Sequence, residues 1–136
     1  MFSVDHLKPN CNSNEVYKGI LDGNSVGVFN GKVFVRRDAQ KTNAFQQNNN
    51  ILLTDDTVIN SKPELEIYAD DVKCSHGSTI GQLDDEAIFY LRARGVSKRS
   101  AINMMITAFV KDALERVSIP ELKSYIETKI DTRFNS

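Results

Sequence analysis

The sequence predicts a mainly β unit over residues 1–80 followed by an α-helical region over residues 81–136. Three observations carry this. Strand-length apolar runs separated by Gly, Asn and Asp fill the first half. Apolar residues at helical spacing, with capping residues ahead of them, fill the second. Most of the glycines and asparagines lie before residue 81. With 136 residues, 40% hydrophobic and 26% charged, the chain suits one compact unit or a solenoid piece with a cap.

The strand candidates in order are residues 15–21, 25–29, 32–35, 51–53, 57–59, 65–69 and 72–74. Four of them run into acidic turns at Asp22, Asp38, Asp55 and Asp70, at steps of 16, 17 and 15 residues. Such a period suggests stacked coils, with parallel sheets around a narrow apolar core. Asn43 and Asn48 to Asn50 suit turns, because Asn tolerates left-handed backbone, and stacked Asn side chains can also ladder between coils. A β-sandwich or a meander of hairpins fits the same pattern, and Asn30-Gly31 is a good two-residue hairpin signal for it. The spacing leaves both open.

In the second half Asp84 or Asp85 can cap a first helix carrying Ile88, Phe89 and Leu91 and closed by Gly95. Ser97 can cap a second helix that runs to about Val117, with Ile102, Met105, Ile106, Phe109, Val110, Ala113 and Leu114 at helical spacing. Ser118-Ile119-Pro120-Glu121 reads as a capping box with Pro in the first turn. The third helix places Leu122, Tyr125, Ile126 and Ile130 on one face, and residues 132–136 are expected to fray. In a solenoid, such helices would cover the apolar core and strand edges of the last coil.

A net charge of −1 lacks the basic footprint of a nucleic-acid binder, and Arg92, Arg94, Lys98 and Arg99 read as a solvated helix end. Gly19, Gly23, Gly27 and Gly31 follow no nucleotide-binding spacing, so no phosphate loop is present. There is no membrane-spanning run or targeting signal. Two widely separated cysteines, Cys11 and Cys74, fit a reduced, cytoplasmic protein. Residues 1–11 read as the interior of a longer protein, and an uncovered first coil would favour a homodimer of this chain.

Cys74 and His76 are the candidate site. At i and i+2 on a strand they share a face with Val72, opposite Lys73 and Ser75. Thiolate and imidazole both ligate iron and zinc, but two ligands do not make a stable site, so a partner chain would supply the rest. The plain alternative is a packed thiol beside a hydrogen-bonded histidine. A cysteine–histidine hydrolase is disfavoured, because residues two apart on a strand have Cα atoms roughly 6.5 Å apart, a poor start for a nucleophile–base hydrogen bond. His6 with Cys11 reads as structural, Asp70-Asp71 as a corner, and Asp84-Asp85-Glu86 as a helix cap rather than a cation site. Ile102, Met104, Met105, Ile106 and Phe109 read mainly as packing residues, with any exposed remainder a docking stripe.

The stretch Ala69-Asp70-Asp71-Val72-Lys73-Cys74-Ser75-His76-Gly77-Ser78-Thr79-Ile80-Gly81 is similar to a signature segment of the SufB/SufD family of iron–sulfur cluster assembly scaffolds. Residues 85–95, Gly27-Val28-Phe29-Asn30-Gly31-Lys32, Ala39-Gln40-Lys41-Thr42-Asn43-Ala44 and Leu65-Glu66-Ile67 resemble further family motifs, and together the resemblance spans residues 5–117. His76-Gly77 favours the SufD branch over SufB, which usually places a glutamate after that histidine. The resemblance implies a right-handed parallel β-helix with a C-terminal helical region, and a non-catalytic role. It also implies pairing with SufB through the end of the β-helix and docking of the SufC ATPase through the C-terminal region. His76, with Cys74, would meet iron or an iron–sulfur cluster only transiently, in the assembled complex, with nothing bound stably by the isolated chain. The alternatives are a SufB-like cluster scaffold and a β-helix enzyme with a Cys/His site.

Overall fold

The computed structural model describes residues 1–135, apart from the side chain of residue 135, and divides into two compact units, Met1–Gly81 and the segment from Gln82 onward. The first contains only strands: β1 (Phe2–His6), β2 (Asn12–Leu21), β3 (Val26–Val35), β4 (Asn43–Leu52), β5 (Val58–Ile67) and β6 (Lys73–Gln82). They form two three-stranded sheets, ordered β1-β3-β5 and β2-β4-β6, so consecutive strands alternate between sheets. The registered pairs are all parallel.

This topology removes the hairpin meander. Asn30-Gly31 lies inside β3, paired in parallel to Lys62-Pro63, and makes no turn. The 15–17 residue step marks half of the real repeat. Partners lie 29 residues apart in Phe2↔Gly31, 31 in Asn12↔Asn43 and 32 in Val26↔Val58. Side chains follow the same spacing. Arg36 donates twice to Asp5, Asn43 to Asn12, Gln46 to Glu15, and Thr54 to the Gly23 carbonyl, all 31 or so residues apart. The Asn43–Asn12 bond of 2.9 Å is a rung of the anticipated Asn ladder.

One sequence expectation is corrected, and two features lie beyond the pattern. The Asn-rich stretch is not a turn: Asn48 to Asn50 lie within β4, which has a neighbour on each side. Asn disfavours strands by propensity, but Ala44, Gln46, Asn48 and Asn50 alternate as buried residues, and the Asn48 and Asn50 amides find partners there. Residues 2–6, given no element by pattern, form β1 against β3. Pro63 sits within β5, the edge strand of its sheet, where its missing N–H can face away from the ladder.

The unit's interior has an apolar end and a polar middle. Val33, Val35, Ala39, Ala44 and Ala69 form the apolar cluster, with Leu65, Val72 and Cys74 against it. Further along the strands the interior turns polar through Gln46, Asn48 and Asn50. Phe2, Tyr17 and Phe29 make a ring cluster with centroids 4.7–6.4 Å apart.

The second unit is helical: α1 (Asp85–Ala93), α2 (Lys98–Leu114) and α3 (Pro120–Asn135), with α2 touching both others. Asp84 is the first cap, accepting from the Glu86 N–H at 2.9 Å, and Ser97 the second, accepting from the Ser100 N–H at 3.1 Å. Gly95 follows α1 at φ +87, where L side chains are strained. Ala101, Ile106, Val110 and Leu114 are the buried face of α2. That helix stops at Leu114 rather than Val117, and α3 continues through residues 132–135 instead of fraying; Ser136 lies outside the described residues. The stripe Ile88, Phe89, Leu91 is broken, since Phe89 is 75% exposed. The α3 face likewise splits, with Leu122 and Tyr125 exposed and Ile126 and Ile130 half-buried.

Candidate functional site

β6 carries the candidate residues and is an edge strand of its sheet. Its register follows from its entry. The Asn43 N–H donates to the Cys11 carbonyl just before β2 and β4 pair as Asn12↔Asn43. The Lys73 N–H donates to the Thr42 carbonyl in the same way before β6 pairs with β4. Continuing that register sets Cys74 beside Ala44, His76 beside Gln46 and Ser78 beside Asn48. Two side-chain bonds agree with it: Asn50 Nδ2 donates to the Thr79 carbonyl at 3.3 Å, and the Ser78 hydroxyl donates to Ser61 Oγ at 2.8 Å.

Cys74 points inward. It is half-buried against the apolar cluster, and burial pushes its thiol above the usual cysteine range, partly offset by a hydrogen bond with the Ala44 backbone. His76, two residues on and on the same strand face, is exposed. The two predicted residues therefore share a face but not an environment: one is a packed thiol in neutral form, the other an accessible imidazole. Among the described residues no group of three or more His, Cys, Asp or Glu side chains is gathered, so this chain offers at most two donors here.

The other sequence candidates resolve into structural roles. His6 is buried, with Nε2 2.9 Å from Ser13 Oγ, and Cys11 lies 3.8 Å from the Pro9 carbonyl. Asp5 pairs with Arg36 at 2.8 Å, a bond that holds its carboxyl below the ordinary range. Asp71 makes the expected corner, its N–H donating to Gln40 Oε1 at 2.9 Å. Arg92, Arg94, Lys98 and Arg99 are exposed, with Arg94 stacked 3.4 Å above the Tyr90 ring.

Sequence reasoning missed the polar row beside His76. Glu15 Oε2 accepts from the Tyr17 hydroxyl at 2.7 Å and, at a long 3.5 Å, from Gln46 Nε2. Burial and the Glu15 carboxylate push Tyr17 up to about 12. Asn50 donates to Asn48 at 2.7 Å, and Ser61 donates to Asn48 at 2.8 Å. The available signal was the near-31-residue spacing of Glu15, Gln46 and His76, invisible while the repeat was read as half that length.

No helix among the described residues is long and apolar enough to cross a membrane. Residues 1–109 match the protein family described as SUF system FeS cluster assembly, SufBD core domain. The chain is similar to the iron–sulfur cluster assembly protein SufD of Escherichia coli K12, with 43% identity over 96% of this chain and 31% of that protein. It is also similar to a SufBD family iron–sulfur cluster assembly protein of Synechocystis, with 42% identity over 92% of this chain and 28% of the relative. Protein ABCI7, chloroplastic, of Arabidopsis thaliana is 39% identical over 88% of this chain and 25% of its own length. The chain thus spans about a quarter to a third of the length of these relatives.

Proposed function

This chain belongs to the SufBD core family of SUF-system iron–sulfur cluster assembly proteins, and from that premise we propose that it is a SufD-type scaffold segment without turnover of its own, presenting His76 to an iron or iron–sulfur cargo at a face completed by another subunit. The observation that carries the reading is the exposed imidazole on the edge strand β6. An edge strand offers unpaired backbone groups to a second chain, which brings that chain's ligands alongside. SufB is the partner proposed for this edge. Cys74 is the weaker ligand of the pair, because burial favours its neutral thiol and metal binding needs the thiolate.

The alternation of parallel strands between two sheets, with a spacing near 31 residues, supports the reading of a right-handed β-helix. SufC is the proposed partner of the helical unit, where Phe89, Tyr90, Met104, Ile119, Leu122 and Tyr125 leave apolar surface exposed. The unpaired thiols of Cys11 and Cys74 suit a reducing compartment such as the cytoplasm. An enzyme built on Cys74 would require an activated thiolate, and the upward shift of that thiol runs against it.

The test is anaerobic cluster reconstitution of the chain with purified SufB and SufC. His76→Ala is expected to lower cluster yield at least tenfold while complex formation persists, and Cys74→Ala to lower it less than His76→Ala. Undiminished cluster yield in His76→Ala would overturn the reading.

A further inference from the structure

A row of three side chains crosses the inner face of one sheet at a single register position: Glu15 on β2, Gln46 on β4 and, by continuation of that register, His76 on β6. Gln46, the central member, is 2% exposed, and its Oε1, like Oε1 of Glu15 beside it, has no hydrogen-bond partner. A buried carboxamide oxygen left bare costs about 1–3 kcal/mol, so a donor for it is to be expected.

The orientation of that amide is dictated by its neighbours. A carboxylate only accepts, and Glu15 Oε2 already takes the Tyr17 hydroxyl, so Gln46 must turn its NH2 toward Glu15 and its oxygen elsewhere. Across the interior, Gly31 on β3 fixes the amide from a third side. A Cβ at Gly31 would lie 2.9 Å from Gln46 Nε2 and 3.0 Å from Oε1, so only a glycine leaves the amide this room. The donor best placed for the free oxygen is the next side chain in the row. Neighbouring strands lie about 4.8 Å apart, so the register makes His76 the cross-strand neighbour of Gln46.

We propose that Gln46 is a positioning residue for His76: its carboxamide oxygen accepts one ring N–H of the imidazole, fixing a single tautomer and leaving the other ring nitrogen bare for the cargo. Ligating histidines commonly donate their second ring N–H to a fixed oxygen, which orients the ring and raises its basicity as a ligand. Here the oxygen belongs to an amide that a half-buried carboxylate holds in place, so Glu15 acts on His76 through Gln46. This inference rests on the reading of His76 as a ligand, but its test does not use the cargo.

The test is histidine ring nitrogen NMR on the isolated chain, above the imidazole titration range, where the two tautomers give distinct signals. In the wild type, His76 should show one tautomer. In Gln46→Met, which keeps the volume and removes the acceptor, it should revert to the mixture of a free imidazole. Glu15→Gln frees the amide to turn over and should give an intermediate mixture; as Glu15 is not fully buried, this variant keeps the test valid should Gln46→Met fail to fold. The exchanged double variant, Glu15→Gln with Gln46→Glu, restores donor and acceptor in order and should restore the single tautomer. A free-imidazole mixture in the wild type, or a single tautomer that survives Gln46→Met, overturns the proposal. Loss of cluster yield in His76→Ala alongside a mixed wild-type tautomer would sink the positioning role and leave the ligand role intact. A fixed tautomer alongside undiminished yield would do the reverse.

Discussion

The Ser61 hydroxyl on β5 donates to Asn48 Oδ1 on β4 across 2.8 Å, tying one sheet to the other through the interior. The same oxygen accepts from Asn50 at 2.7 Å, and Ser78 on β6 donates to Ser61 at 2.8 Å. Two strands therefore meet on one buried amide, and a third, β6, is linked to it through the Ser61 hydroxyl. Asn48→Ala strips the acceptor from two donors and is expected to destabilise the chain by about 2–3 kcal/mol, a value typical of buried groups left unsatisfied. Urea unfolding at neutral pH checks this; a loss below about 0.5 kcal/mol would mean that water replaces the amide freely.

Tyr17 lends the fold an alkaline limit. Its hydroxyl is pushed from 10.0 up to about 12, first by burial and then by the Glu15 carboxylate. A folded-state value above the unfolded one means that the contribution is whole below pH 10 and is lost as pH rises toward about 12. Ultraviolet titration should show late ionisation from Tyr17 and from Tyr68, whose hydroxyl donates to Glu66; Tyr17→Phe should remove the later component, and that variant's stability should fall less steeply over the same window.

Cys74 is expected to react with maleimide more slowly than a free thiol at neutral pH, because it is half-buried and its thiol is pushed up. The rate should climb with pH past the ordinary cysteine range. Rapid labelling at neutral pH, the mark of an activated thiolate, would favour the enzyme reading.

Asp5 and Arg36 make a bidentate pair at 2.8 and 2.9 Å on the exposed face of the β1–β3 sheet. Because Arg36 holds Asp5 below 3.8, whatever the pair contributes is present above that value and lost as pH falls through the depressed folded-state value. Asp5→Asn should leave neutral-pH stability almost unchanged, since exposed pairs contribute little and are screened by salt. It should flatten the acid limb of the pH profile at low ionic strength; an equally steep limb would contradict this.

The helical half was legible because caps and periodicity are local. Asp84, Ser97 and Gly95 do what their residue types predict. The strands were harder to bound, because what makes them strands is not local. Asn48 and Asn50 lie in β4 only because β2 and β6 flank it and other amides satisfy theirs. Asn30-Gly31 reads as a hairpin until Lys62-Pro63 is seen alongside. The divergence of Cys74 and His76 was equally hidden: their spacing predicts a shared face, but the apolar cluster covers only the first. Gln46 could not be found at all without the near-31-residue register that sets it beside His76.

The most direct test of the central claim is pulsed electron paramagnetic resonance on the chain, carrying isotope-labelled histidine, assembled with unlabelled SufB and SufC and loaded anaerobically with a reduced cluster. The chain has two histidines, His6 and His76. A coordinated imidazole nitrogen is expected in the wild type and in His6→Gln, and none in His76→Ala. A labelled-nitrogen coupling that persists without His76, or a loaded complex with no such coupling, would contradict the account.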